Sequence, residues 1–299
     1  MLSLDERSLK YQQSLNQYNW DTLGKLCPTC EGCLVAPCDQ VPLCHSVPEA
    51  IEQFKQQGFT LLSPEMVGLE DNDLTELWAA ASSFKEVSLR RGSDGVYSKL
   101  RYSLNSYGHV HDERWRSVGV KLLDEGHAVS QVIDEIAELN DPNWRRWAFH
   151  SWGGDGVLPH GPGQSMHSDW HYWDTSKGSC LLACSVFTED SVPHHAPIAI
   201  RTSSGEIYLA CLPRGSILIR DINVAHCGTY NHLEHARILP CCRIMLFGQI
   251  CNLSYDSDYC RPTRNVKSSE FNQWFPTEWL QKRFEYVWHS PRGCKRDLE

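Results

Sequence analysis

Nowhere in its 299 residues does the chain carry the roughly 18 consecutive apolar residues that a membrane-spanning helix needs. It also lacks basic excess: 28 Lys and Arg stand against 37 Asp and Glu, a formal net charge of -9, so nothing draws it to DNA, RNA or anionic lipid. The N-terminus, Met1-Leu-Ser-Leu-Asp-Glu-Arg, places charges where a secretory signal has its apolar stretch, and the C-terminal Asp-Leu-Glu is no peroxisomal address. A cytoplasmic protein with no nucleic-acid or membrane partner is therefore expected. There, the 14 cysteines read as reduced thiols or metal ligands and not as a disulfide framework. No internal repeat or low-complexity segment is evident.

What is present is enough for a globular core. The 41% hydrophobic content and 11 tryptophans argue against disorder, and the length suits one large domain. Residues 1–26 have Leu4, Leu9, Tyr11, Leu15 and Tyr18 near helical spacing, which suggests a packing arm. Residues 27–48 hold Cys27, Cys30, Cys33, Cys38 and Cys44 among four prolines, an irregular loop or lid. Pro48 to Gly58 reads as a helix started by proline and stopped by glycine, followed by a strand at Phe59-Thr-Leu-Leu. Residues 69–84 and 115–139 read as two further amphipathic helices.

From about Trp144 the pattern turns to short β-like runs at 147–152, 179–187, 197–201, 207–212, 216–220 and 242–250. Helices followed by many short strands give an α+β class with a sheet sandwich or barrel core. The division expected is an arm and Cys-rich loop over 1–48 and one domain over 49–299. Within that domain, helical support spans about 49–143, the β core about 144–252 and a C-terminal extension 253–299.

The segment that carries chemistry is Gly163-Gln-Ser-Met-His167-Ser-Asp169-Trp-His171-Tyr-Trp. In an extended chain, residues two apart share a side, so His167 and Asp169 can address one metal ion. His226, where the run Gly215-Ser-Ile-Leu-Ile-Arg-Asp passes into a loop, would be the third ligand. Two histidines and a carboxylate make a facial triad that leaves coordination positions open, the pattern of non-haem Fe(II) oxygenases. Any one His-x-Asp arises by chance in many proteins; the specificity lies in the ordered set.

That set resembles the phytanoyl-CoA dioxygenase family of Fe(II), 2-oxoglutarate oxygenases over residues 50–250. The carrying stretches are Phe54-Lys-Gln-Gln-Gly-Phe-Thr-Leu-Leu, His167-Ser-Asp169-Trp-His-Tyr, Ala196-Pro-Ile-Ala-Ile-Arg-Thr-Ser-Ser-Gly, Gly215-Ser-Ile-Leu-Ile-Arg-Asp and His226-Cys-Gly-Thr-Tyr-Asn231. The resemblance implies a double-stranded β-helix (jelly-roll, cupin-like) with N-terminal helices packed outside. It also implies iron on His167, Asp169 and His226, with 2-oxoglutarate and O2 as cosubstrates. An arginine downstream of His226 would take the distal carboxylate of 2-oxoglutarate, because a guanidinium fork fits a carboxylate. Arg237 and Arg243 are the candidates. Arg243 is preferred because Pro240 would interrupt a strand starting at Arg237, while Arg243, Met245 and Phe247 would share one face.

For substrate contacts, Lys99 and Arg101 alternate onto one face of Tyr97 to Asn105, and His171 shares the side of Asp169. A solvated edge is the plainer reading of the two cations. Asn231 suits a turn after His226. The Cys27–Cys44 loop holds one CxxC hook and could carry a structural zinc, although the usual second hook is missing and the loop departs from the family. The leading expectation is oxidation of a small metabolite, by hydroxylation, desaturation or ring closure. The competing readings are an acyl-CoA hydroxylase of the same family and a non-catalytic or zinc-stabilised binding protein.

Overall fold

The computed structural model describes residues 35–36, 41–83, 100–104, 112–140, 146–164, 166–169, 181–247, 273 and 277–282. The helical arm over 1–26, four of the five loop cysteines, Lys99, His171 and nearly all of 253–299 lie outside these residues. Helices α1 (Val47–Gln57), α2 (Pro64–Val67), α3 (Asp71–Ser83), α4 (Glu113–Leu123) and α5 (Ala128–Asn140) occupy the first half with strands β1 (Val35–Ala36), β2 (Phe59–Leu62) and β3 (Arg101–Ser103). The second half is strand: β4 (Arg146–Val157), β5 (Leu181–Val186), β6 (Ile198–Arg201), β7 (Ile207–Ala210), β8 (Ile217–Asp221), β9 (His226–Gly228) and β10 (Arg237–Phe247). None of the described helices is long and apolar enough to cross a membrane.

The start and stop signals act as local chemistry dictates. Ser46 caps α1 by accepting from the Glu49 amide, Pro48 sits in its first turn, and Gly58 at φ 74° closes it with its amide on Phe54 O. The run 115–139 is two helices and not one. The chain leaves α4 at Asp124 and turns at Gly126, whose φ of 80° no helix interior adopts, before α5 begins. Helix α5 then buries Val129, Val132, Ile133 and Ile136 along one stripe, each worth about 1.5–3 kcal/mol.

Two sheets form, ordered β1-β7-β6-β9 and β2-β8-β5-β10-β4-β3; every pairing is antiparallel except β1 with β7. From β4 onward, β4 and β5 lie in the six-stranded sheet and β6 and β7 in the four-stranded one, after which β8, β9 and β10 alternate between the two. One apolar cluster, including Trp115, Trp147, Trp152, Ile219 and Ile244, fills the space between the six-stranded sheet and the helices. A second, including Phe59, Leu61, Leu218, Ile200, Tyr208 and Leu239, lies between the sheets.

Strand β10 overturns one sequence expectation. It runs unbroken through Pro240, paired with β4 along its length, while β5 joins only at Cys241–Met245. Pro240 thus falls where β10 has a single neighbour strand, an edge-like position that tolerates a missing N–H. Opposite it, Gly154 adopts φ 136°, and a Cβ there would lie 2.1 Å from Leu239 O. Arg237 and Arg243 are therefore both strand residues, six apart and on one face.

Candidate metal centre

His167 and His226 face each other as a single antiparallel bridge, with His167 N on His226 O at 2.9 Å and His226 N on His167 O at 2.8 Å. Directly paired antiparallel residues project to one side, and the next residue but one, Asp169, joins them with its amide on Ile222 O. The result brings Asp169 Oδ1 to 3.5 Å from His226 Nε2 and 3.8 Å from His167 Nε2. The three ligand atoms lie within 4.8 Å of one another. The spacing argument from sequence and the bridging histidine thus converge on one cluster.

The chemistry of this donor set fits a cation. Val224 O accepts from His226 Nδ1 at 3.0 Å, which fixes the proton on Nδ1 and leaves the Nε2 lone pair pointing at Asp169. Burial, then the Arg220 charge, lowers the His226 pKa against the pull of Asp169. Burial alone would raise the Asp169 pKa, but Arg220 and His226 hold it well below the ordinary carboxylate range. The His226 Nε2 lone pair and the Asp169 carboxylate, which meet the Arg220 guanidinium, are donors that a metal ion would also take. Bonds of about 2.1 Å at right angles place ligand atoms about 3 Å apart, and the two separations from Asp169 Oδ1, 3.5 and 3.8 Å, are within 1 Å of that.

Arg220 is the residue that sequence reading missed. Its Nη2 lies 2.6 Å from Asp169 Oδ2 and 2.9 Å from His226 Nε2, while the side chain is only 8% exposed. It closes the apolar run Ser216-Ile-Leu-Ile on the alternating face that also carries Leu218, but with both faces of the strand buried the sequence does not mark that face as the inner one. In register, Arg220 pairs with Ala183, Ala183 with Arg243, and Arg243 with Ser151, so all four stand in one row on the inner face of the six-stranded sheet. That face is apolar where Leu218 and Leu239 meet the second sheet and polar beside the histidines.

Arg237 and Arg101 belong to a different cluster, at the other end of β10. Arg237 is buried, donates to Ala196 O at 3.0 Å, and pairs with Asp155 Oδ2 at 3.3 Å. Burial pushes its pKa down to about 10 despite Asp155. A small cleft lined by Phe187, Glu189, His195, Ile198 and Arg237 opens at that end, away from the triad. Arg101 is 1% exposed, so the solvated edge read from sequence is not what forms. It pairs with the same Asp155 and donates to Pro162 O, Gln164 Oε1 and Thr229 O, the segments leading into His167 and out of His226. Gly228 permits this, since a Cβ there would lie 2.3 Å from Arg101 Nη1.

Asn231 shapes the turn, as its residue type suggested: its amide reaches Leu158 O and His235 O. Thr229 spends its hydroxyl on Pro197 O. Cys44, the described member of the cysteine loop, is buried with Sγ 3.6 Å from Thr60 Oγ1.

No family model and no curated protein matches the chain. Solved structures do resemble it. AviO1 from Streptomyces viridochromogenes Tue57 shares 14% identity over 68% of this chain and 96% of its own, with a TM-score of 0.48. EctD from S. alaskensis, solved with 2-oxoglutarate and 5-hydroxyectoine, shares 15% over 70% and 80%, at 0.49. SnoN, a non-heme alpha ketoglutarate dependent epimerase from nogalamycin biosynthesis, shares 10% over 67% and 80%, at 0.49. At such identities and TM-scores the chemistry has to be read from this chain's own residues.

Proposed function

We propose that this chain is an Fe(II), 2-oxoglutarate-dependent dioxygenase of the phytanoyl-CoA dioxygenase type, oxidising a small metabolite. In this reading residues 49–299 form one oxygenase domain, and the strands alternating between two sheets are a double-stranded β-helix. The observation that carries it is the cluster of His167 Nε2, Asp169 Oδ1 and His226 Nε2, three donors on one side of a bridge with the His226 tautomer already set. Three protein ligands leave the remaining positions for cosubstrate and O2. Bound iron with 2-oxoglutarate and O2 supplies an oxidant able to break a C–H bond, 2-oxoglutarate leaving as succinate and CO2. His167, Asp169 and His226 orient that chemistry, and the apolar cluster between the sheets closes one end of the site to water.

We assign the distal carboxylate of 2-oxoglutarate to Arg243. It stands on the same row as Arg220, whose guanidinium touches two of the three ligands, whereas Arg237 lies at the other end of β10, beside Asp155. Charge-assisted hydrogen bonds contribute about 1.5–3 kcal/mol, so Arg243→Gln should weaken 2-oxoglutarate binding roughly 10- to 100-fold and leave metal affinity unchanged. An unaltered 2-oxoglutarate affinity in Arg243→Gln, with a weakened one in Arg237→Lys, would move the role to Arg237.

The activity itself is tested by Fe(II)-dependent formation of succinate from 2-oxoglutarate under O2, with a panel of small acids as substrates. Wild type should form succinate and Asp169→Ala should not. Equal rates in the two proteins would contradict the proposal.

A further inference from the structure

Arg220 is over-supplied with donors for the partners it has. Of its three nitrogens, only Nη2 has acceptors. Nε and Nη1 are buried and have none among the described residues. Buried hydrogen-bonding groups of native proteins are nearly always paired, and an unmet charged donor is more costly than a neutral one. A metal on the triad sharpens the mismatch. It would claim the His226 Nε2 lone pair, so that Nη2 would keep Asp169 Oδ2 alone and one of its hydrogens would join Nε–H and Nη1 without an acceptor.

Resting on the oxygenase reading, we propose that Arg220 is an anion subsite: its Nε–H and the Nη2 hydrogen beside it take a carboxylate held beside the metal position. The Nε–Nη2 edge presents parallel N–H groups with the geometry of a bidentate carboxylate contact. The neighbouring position in the row, between Arg220 and Arg243, is the small residue Ala183.

The carboxylate comes either from 2-oxoglutarate itself, at the end nearest the metal, or from the molecule that is oxidised. Both use the same chemistry, and binding measurements separate them. Wild type, Arg220→Gln and Arg220→Lys are loaded with Mn(II), a redox-inert stand-in, and titrated calorimetrically, first with 2-oxoglutarate. Benzoate and its neutral analogue benzamide are then titrated in the presence of saturating 2-oxoglutarate. Arg220→Lys keeps a cation beside Asp169 but loses the planar fork, which guards against a glutamine variant that fails to fold.

If the cosubstrate uses Arg220, 2-oxoglutarate binds at least about tenfold more weakly to both variants. If the substrate uses it, 2-oxoglutarate affinity holds. Wild type then binds benzoate in preference to benzamide, and the variants lose that preference, which a merely structural role would not produce. Folded variants that match wild type in both titrations overturn the subsite while leaving the metal centre standing. A wild type that takes no Mn(II) or Fe(II) overturns the metal reading instead. In that case, titrating the metal-free proteins with benzoate decides the subsite, since binding lost in Arg220→Gln supports it and equal or absent binding removes it.

Discussion

Asp155→Asn is expected to cost about 4 kcal/mol of folding stability, roughly a thousandfold in the folding equilibrium. Asp155 is the counter-charge for both Arg101 and Arg237, whose side chains are 2% and 7% exposed. Removing one partner of a buried pair leaves the other charge in a poor dielectric. Here a single substitution strands two, and they repel each other. Asparagine keeps the volume and two hydrogen-bonding atoms, so the loss reports charge and not packing. Urea unfolding followed by tryptophan fluorescence measures it, and a loss below 1 kcal/mol would show that neither arginine depends on Asp155. Because Arg101 also clamps residues 162–164 to Thr229, the surviving folded fraction should hold metal less tightly than wild type.

Acid should act with comparable force. His150 and His195 are buried, and burial first, with Arg243 beside His150 and His235 and Arg237 beside His195, lowers each pKa from 6.5 to about 4. The unfolded chain therefore takes up these protons before the native one does. The stability involved is fully present above pH 6.5 and drains away as the pH falls through the interval down to about 4. Each shift is worth about 3 kcal/mol, together a large share of the 5–15 kcal/mol that holds a typical domain. Denaturant midpoints at steps from pH 7.5 to 4.5 should fall steadily below pH 6.5, with a shallower slope in His195→Gln. A flat profile from pH 7 to 5 would contradict the burial of both rings.

The legibility of this site in the sequence follows from the range of the interactions involved. His167 and Asp169 could be paired because extended backbone has a two-residue period that needs no tertiary information. His226 sits 57 residues beyond Asp169, and only the resemblance linked them; the strand bridge that joins them is non-local. Arg220 stayed hidden because Ile217 to Ile219 are apolar on both faces of the strand, as befits a strand buried between helices and a second sheet. Alternation therefore gave no cue that residue 220 points inward. Arg101 was misjudged for the same reason, since the inner face of β3 is defined only by its pairing with β4. The break between α4 and α5 was legible at Gly126 and was outweighed by the apolar periodicity on either side. Pro240 misled because Ser185, where β5 stops pairing with β10 and frees one of its sides, lies 55 residues upstream.

The central claim is that His167, Asp169 and His226 form one iron site that also receives 2-oxoglutarate. Adding Fe(II) and 2-oxoglutarate to the protein without oxygen tests it directly, because a 2-oxo acid chelated to Fe(II) gives a weak visible charge-transfer band. Wild type should show the band, and His167→Ala, folded as judged by its circular dichroism, should not. A folded wild type that develops no band, or a band that survives intact in His167→Ala, would contradict the assignment.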